Sequence, residues 1–212
     1  MAAGYAEQME RDLRRLIVPL GFKEKYGVLW FDMSDGVRGF LGLPRATYGT
    51  STVADFGVAV GVRFEPIYQL QVSLGTSPES KTGCNIRASM EYLAPKGQRW
   101  RFERGVDNSA AIERLLSDVS YYALPFYAMF CSPAAALAEY ERGVPSFVSG
   151  WSSFLPVALF SVGQYDRAIQ CARTFATNFD PKRNTGRVYH QFVQRLEQAC
   201  KGSASGVGNA NS

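Results

Sequence analysis

Residues 53–64 read VADFGVAVGVRF, and their alternation decides the fold class of the chain. Phe56, Val58, Val60, Val62 and Phe64 fall on one side of an extended backbone, and Asp55, Gly57, Ala59, Gly61 and Arg63 on the other. A period of two is the mark of a half-buried strand. Upstream, Met9, Leu13, Leu16, Ile17 and Leu20 recur at helical spacing, with Arg11, Arg14 and Arg15 opposite them, and Pro19-Leu20-Gly21-Phe22 closes that helix. Between the two, residues 28–33 and 37–43 read as hairpin strands, because Asp35-Gly36 offers the positive dihedrals of a tight turn. Residues 47–52 read as a polar loop.

Residues 66–74 suit a strand, through Tyr68, Leu70, Val72 and Leu74, or a short helix opened by Pro66; the helix is the reading adopted. Cys84, Ile86, Ala88, Met90 and Tyr92 alternate as a further strand, and residues 95–97 turn the chain. In residues 99–103, Trp100 and Phe102 face one way and Arg99, Arg101 and Glu103 the other. From Asn108 the period is helical. Asn108 is placed to cap a helix through Val119 that Pro125 must end or kink. Helices follow over residues 133–142, 151–162, 165–178 and 185–201. The expected organisation is a helix-plus-sheet region (1–107), a helical region packed on the sheet (108–201) and a disordered Gly-, Ser-, Ala- and Asn-rich tail (202–212). This is an α+β architecture: an antiparallel or mixed sheet with helices on it, then an all-helical C-terminal subdomain. Residues 160–172, FSVGQYDRAIQCA, look like part of a tetratricopeptide hairpin, but one copy cannot build a repeat array, so they are read as an ordinary helical hairpin.

The 212 residues, 46% of them apolar, can fill a sizeable core. Cys84, Cys131, Cys171 and Cys200 form no C-x-x-C pair, and read as buried thiols of a reducing cytosol. Glu7, Glu10 and Asp12 do not suit the basic start of a signal peptide, and the longest apolar runs, 121–131 and 154–162, are shorter than the roughly 20 residues a membrane span needs. The expected location is cytoplasmic, without membrane association. A net charge of +4, with 23 basic and 19 acidic side chains interleaved, is a poor match to a nucleic-acid binder.

The chemical inventory is small. His190 is the only histidine, which removes two-histidine metal sites, and it reads as a solvated residue of the last helix. Lys81-Thr82-Gly83 matches one triplet of the penicillin-binding enzymes without the S-x-x-K turn that carries their nucleophile. No phosphate loop, dinucleotide fingerprint or nucleophile elbow occurs. No catalytic residue, metal or cofactor is therefore assigned. Asp55 and Glu91 are the carboxylates to inspect as a hydrolytic pair; the plainer reading has them solvated, or salt-bridged to Arg63 and Arg87. Asp55, Gly57, Ala59, Gly61 and Arg63 form a strand face of little side-chain height, bordered by Arg87, Arg99 and Arg101. Either the C-terminal helices cover it, or it is open to an acidic partner or an anion.

The order of elements, with the P-L-G-F helix end, the Trp30-Phe31 strand, D-F-G-V-A-V-G-V-R-F, C-N-I-R and Arg99-Trp100-Arg101-Phe102 before a helix, resembles the bacterial domain-of-unknown-function family numbered 4304 over about residues 5–142. The resemblance implies an α+β fold and a bacterial cytosolic origin, and carries no mechanism. This chain departs from it in an arginine-rich tryptophan strand and a helical extension after Glu141. The function expected is a non-enzymatic protein-binding module, immunity- or antitoxin-like, occluding a partner with an acidic surface through Asp55, Arg63, Arg87, Glu91, Arg99 and Arg101. The alternative is a small-molecule-binding or hydrolytic domain with a pocket between sheet and helices, lined by Trp100, Tyr92 or Tyr122. RNA binding through Arg99, Trp100 and Arg101 would need all three on one exposed surface, which strand alternation denies.

Overall fold

The computed structural model describes residues 4–45, 52–76, 80–94, 99–143 and 148–207, with side chains through Ser203. The expected turn at 95–97, most of the 47–52 loop and residues 208–212 lie outside them. The first helix, α1 (Tyr5–Ile17), tightens into a 3-10 turn at Val18–Leu20 and stops at Gly21, whose φ of 99° no side-chain-bearing residue takes readily. Seven strands follow: β1 (Lys23–Lys25), β2 (Val28–Ser34), β3 (Val37–Gly42), β4 (Val53–Phe56), β5 (Ala59–Phe64), β6 (Ile86–Ser89) and β7 (Trp100–Glu103). They form a five-stranded sheet in the order β1-β2-β3-β5-β6 and a separate antiparallel ribbon of β4 and β7. With its helices, this is an α+β fold.

The single strand expected over residues 53–64 is two strands in two sheets. At the break the Gly57 N–H donates to the Pro44 carbonyl (3.0 Å) and the Val58 carbonyl accepts the Met90 N–H (2.8 Å), so loop and helix-start partners replace the ladder. Two residues separate the strands, so the alternation stays in phase across the break, and Ala54, Phe56, Val58, Val60, Val62 and Phe64 are all buried. Gly61 and Arg63 are buried as well, so of the two alternatives the open face does not hold along β5.

Two further expectations change. The strand over residues 84–92 ends at Ser89, whose hydroxyl accepts the Glu91 N–H (3.4 Å) and starts the short helix α3 (Met90–Leu93). In the β2–β3 turn only Gly36 takes positive φ, and the register shifts between Asp32 and Ser34, a bulged turn rather than a doubly left-handed one. The doubly left-handed turn lies one hairpin earlier, at Tyr26 (φ 57°) and Gly27 (φ 74°), joining β2 to the unforeseen strand β1.

The chain divides into two compact units, Met1–Arg63 with Ile86–Ser149, and Phe64–Asn85 with Gly150–Ser212. These limits differ from the composition shift at Asp107. The first unit holds the sheet, the ribbon and α4 (Ser109–Asp118), a π-helical turn (Val119–Ala123), α5 (Leu124–Met129) and α6 (Pro133–Glu141). α2 (Glu65–Ser73) belongs to the second unit, so the helical reading of residues 66–74 holds. Asn108 stands at the start of α4, but its side chain turns back to the Glu103 N–H (3.0 Å) and the Glu103 and Val106 carbonyls (2.9 and 3.0 Å). Asp107 instead accepts the Ser109 N–H and hydroxyl (3.0 and 2.6 Å), hydrogen bonds that lower its carboxyl below the ordinary range. The π turn widens the helix just before Pro125, which has no N–H to give, and the chain runs on helically into α5.

α5 is seated on the sheet through one aromatic residue. Tyr127 donates to the Phe40 carbonyl at 2.7 Å and stacks on Phe31, with ring centroids 5.8 Å apart. Gly39 makes this possible, because a Cβ there would meet three carbons of the Tyr127 ring at 2.9 Å.

In the second unit α2, α7 (Trp151–Ser161), α8 (Tyr165–Ala176) and α9 (Asn184–Val207) share a core that includes Phe64 against Phe154 (5.3 Å) and Tyr189 against Phe192 (5.3 Å). Asn85 links the Phe64 N–H (2.6 Å) to the Gln71 side-chain carbonyl (2.7 Å) inside it. Arg195 of α9 caps α2, donating to the Leu74 carbonyl at 3.2 Å beside Gly75. The backbone of α9 stays helical through Val207, into the stretch expected to be disordered, since each added residue of a formed helix gains a bond without a new nucleus.

Candidate functional site

The six side chains singled out from the sequence separate into three places. Asp55, Glu91 and Arg99 come together: the Arg99 Nε donates to Asp55 at 2.7 Å and its Nη1 to Glu91 at 3.1 Å. Gly57 leaves room for them, as its Cβ would lie 3.3 Å from the Glu91 Oε1 and 3.8 Å from the Arg99 Nη1. The hydrogen bond to Asp55 raises the Arg99 guanidinium above its ordinary value; burial opposes it, and the charges of Asp55 and Glu91 add to the rise. Arg101 stands opposite Asp55 in the β4–β7 register and pairs with Glu103 at 3.0 Å. This ribbon face thus carries three carboxylates against two guanidiniums. Arg87 is exposed on β6, opposite Gly61. Arg63 is buried, 9% exposed, and offers no surface. The plain salt-bridge reading of Asp55 and Glu91 holds, with Arg99 as the partner in place of Arg63 and Arg87.

Trp100 is buried under the ribbon, 2% exposed, and its indole N–H donates to Asp118 at 3.1 Å. It shares no surface with Arg99 and Arg101. His190 is half-buried, with Nε2 3.2 Å from the Phe179 carbonyl, rather than solvated. The four cysteines are thiols rather than disulfides: Cys200 is buried, Cys84 and Cys171 half-buried, and Cys131 is exposed, contrary to the buried-thiol reading. Burial pushes the Cys171 thiol up to about 11. Among the described residues no group of acidic, histidine and cysteine side chains could hold a metal ion, and no helix is long and apolar enough to cross a membrane.

A groove of about 350 Å³ lies in the first unit. Leu93 of α3 belongs to its lining. Most of the lining comes from two rows at four-residue spacing along the π turn and α5: Tyr121, Pro125 and Met129, and beside them Tyr122, Phe126 and Phe130. Glu139, Arg142, Gly143 and Val148 complete the lining, with Arg142 paired to Glu139 at 2.5 Å. Tyr121 is 73% exposed and Met129 47%. Sequence reasoning named Tyr122 as a possible pocket-lining residue, which it is, and otherwise treated residues 121–131 as an apolar run too short for a membrane. The available signal was that residues 121–130 are apolar all round, wider than the stripe a surface helix needs for its core. No protein-family model, curated protein or solved structure matches the chain, so the functional reading rests on this groove and the ribbon beside its sheet.

Proposed function

We propose that this chain is a non-enzymatic protein-binding module of the bacterial cytosol, of the immunity or antitoxin type, which binds and occludes a partner. The observation that carries the reading is the groove: aromatic residues and methionine exposed on a helix seated firmly on a sheet have the composition of an interface centre. The ribbon supports recognition over hydrolysis, since the Arg99 guanidinium stands between Asp55 and Glu91 where a hydrolytic pair needs water or a substrate oxygen. An acidic surface on the partner is favoured by the net charge of +4 and by exposed Arg87, whereas Arg99 and Arg101 already hold carboxylates. The small-molecule alternative draws on the groove volume of about 350 Å³, at the low end for ligand sites.

The test is capture from the host lysate by immobilised wild-type chain and by Met129→Glu and Arg87→Glu variants, each shown folded by circular dichroism. The expected result is one protein retained at stoichiometric level, reconstituted with purified components by calorimetry and lost with Met129→Glu. No such protein, together with a metabolite-induced thermal shift abolished by Met129→Glu, would move the function to the small-molecule alternative.

A further inference from the structure

Resting on the protein-binding reading, we infer that the groove receives a single uncharged aromatic anchor of the partner that carries a hydrogen-bond donor, a tryptophan or a tyrosine. Three observations select this chemistry. Among the described lining residues the two charged side chains, Glu139 and Arg142, pair with each other at 2.5 Å, so a charged anchor would meet a like charge beside its counter-ion. The lining is rich in aromatic side chains and includes the Met129 thioether, a composition that favours an aromatic body over a branched aliphatic one. Glu139 spends Oε1 on Arg142, and a carboxylate has about four lone-pair sites, so it keeps acceptor capacity for an indole N–H or a phenol O–H. The volume of about 350 Å³ accommodates one large side chain, the scale on which interface hot spots are built.

The ¹³C-methyl NMR signals of Met129 and Leu93 report the groove directly in the intact wild-type chain, without any partner. N-acetyl-tryptophanamide should shift both saturably, with a dissociation constant of about a millimolar for so small a probe. Its N1-methyl analogue, which lacks the donor, should bind at least about fivefold more weakly, as the loss of one charge-assisted hydrogen bond requires. The amides of N-acetyl-glutamate and N-acetyl-lysine should leave the signals in place. Equal binding of the N1-methyl analogue, equal shifts with a charged amide, or absence of saturation would each overturn the inference. Failure here leaves the lysate capture free to succeed through Arg87 or the ribbon. A positive titration with no captured protein would instead assign the groove to a free aromatic ligand and overturn the anchor.

Discussion

Replacing Gly39 by alanine tests the contact on which the groove depends. The strand position itself accepts alanine, since Gly39 is not among the glycines at positive φ. The added Cβ, however, would lie 2.9 Å from Cγ, Cδ2 and Cε2 of Tyr127, at least about 0.6 Å inside ordinary carbon–carbon contact. The ring has little room to retreat. Tyr127 is 1% exposed, stacked on Phe31, edged by Phe22 and Phe126, and tied by its hydroxyl to the Phe40 carbonyl. Overpacking of this kind costs about 1–3 kcal/mol, against about 0.5–1 kcal/mol returned by the lower chain entropy of alanine. The net expectation is a loss of about 1–2 kcal/mol in urea unfolding. In a Tyr127→Ala background the clash is gone, so Gly39→Ala should become neutral or stabilising, a coupling above about 1 kcal/mol. The Met129 methyl signal should also move in Gly39→Ala, because α5 carries both residues. A stabilised Gly39→Ala variant, or the same cost in both backgrounds, would refute the reasoning.

Three other outcomes follow from the same structure. Arg99→Met removes two ion pairs whose members are 25–42% exposed, so it should cost only about 1 kcal/mol, shrinking in high salt; a loss well above about 2 kcal/mol would show that the cluster is not screened by solvent. Gly186→Ala should be far more damaging, about 3 kcal/mol or more, because its Cβ would fall 1.8 Å from the Asp180 carbonyl oxygen, a backbone atom that cannot rotate away; a proteolysis pattern confined to the second unit would accompany it. The Cys171 thiol keeps its proton in the folded state up to about 11, while an unfolded thiol ionises near 9, so stability is complete below about pH 9 and falls as pH rises towards 11. Burial raises Cys200 and Tyr189 in the same direction. Urea midpoints measured from pH 8 to 10.5 should decline, less steeply in Cys171→Ala, and an unchanged slope in that variant would remove Cys171 from the account.

Much of the local structure was legible because it follows from periods and stop residues. The helix ended by Gly21, the hairpin at Gly36, the β7 alternation with Trp100 inward and Arg99 and Arg101 outward, and the helices after Asn108 all rest on side-chain period or a single backbone requirement. What could not be read is where an extended chain changes partner. VADFGVAVGVRF keeps its parity through Gly57 and Val58, and only long-range bonds to Pro44 and Met90 reveal that β4 and β5 belong to different sheets. The same limit governed the ribbon. Sequence places Asp55, Glu91 and Arg99 on polar sides but does not show that one guanidinium joins the two carboxylates, since that depends on a register linking residues 44 positions apart.

The groove follows from a different kind of signal, one that composition does contain. A helix needs an apolar stripe, not an apolar circumference, to pack against a core. Residues 121–130, YYALPFYAMF, have no polar face, and the structure uses the surplus unevenly. Ala123, Phe126, Tyr127 and Phe130 are buried, and Tyr127 locks the helix to β3 through Gly39. Tyr121 remains largely, and Met129 about half, in solvent, where each costs hydration free energy without returning stability to the fold. The π turn before Pro125 lets the helix pass the proline, so that the outer row from Tyr121 through Pro125 to Met129 stays continuous. Scattered single apolar residues on a surface call for no explanation, but a continuous row beside a groove does. Rigid seating of one face and exposure of the other are the two conditions for a preorganised docking site, because the binding partner then has little ordering left to impose.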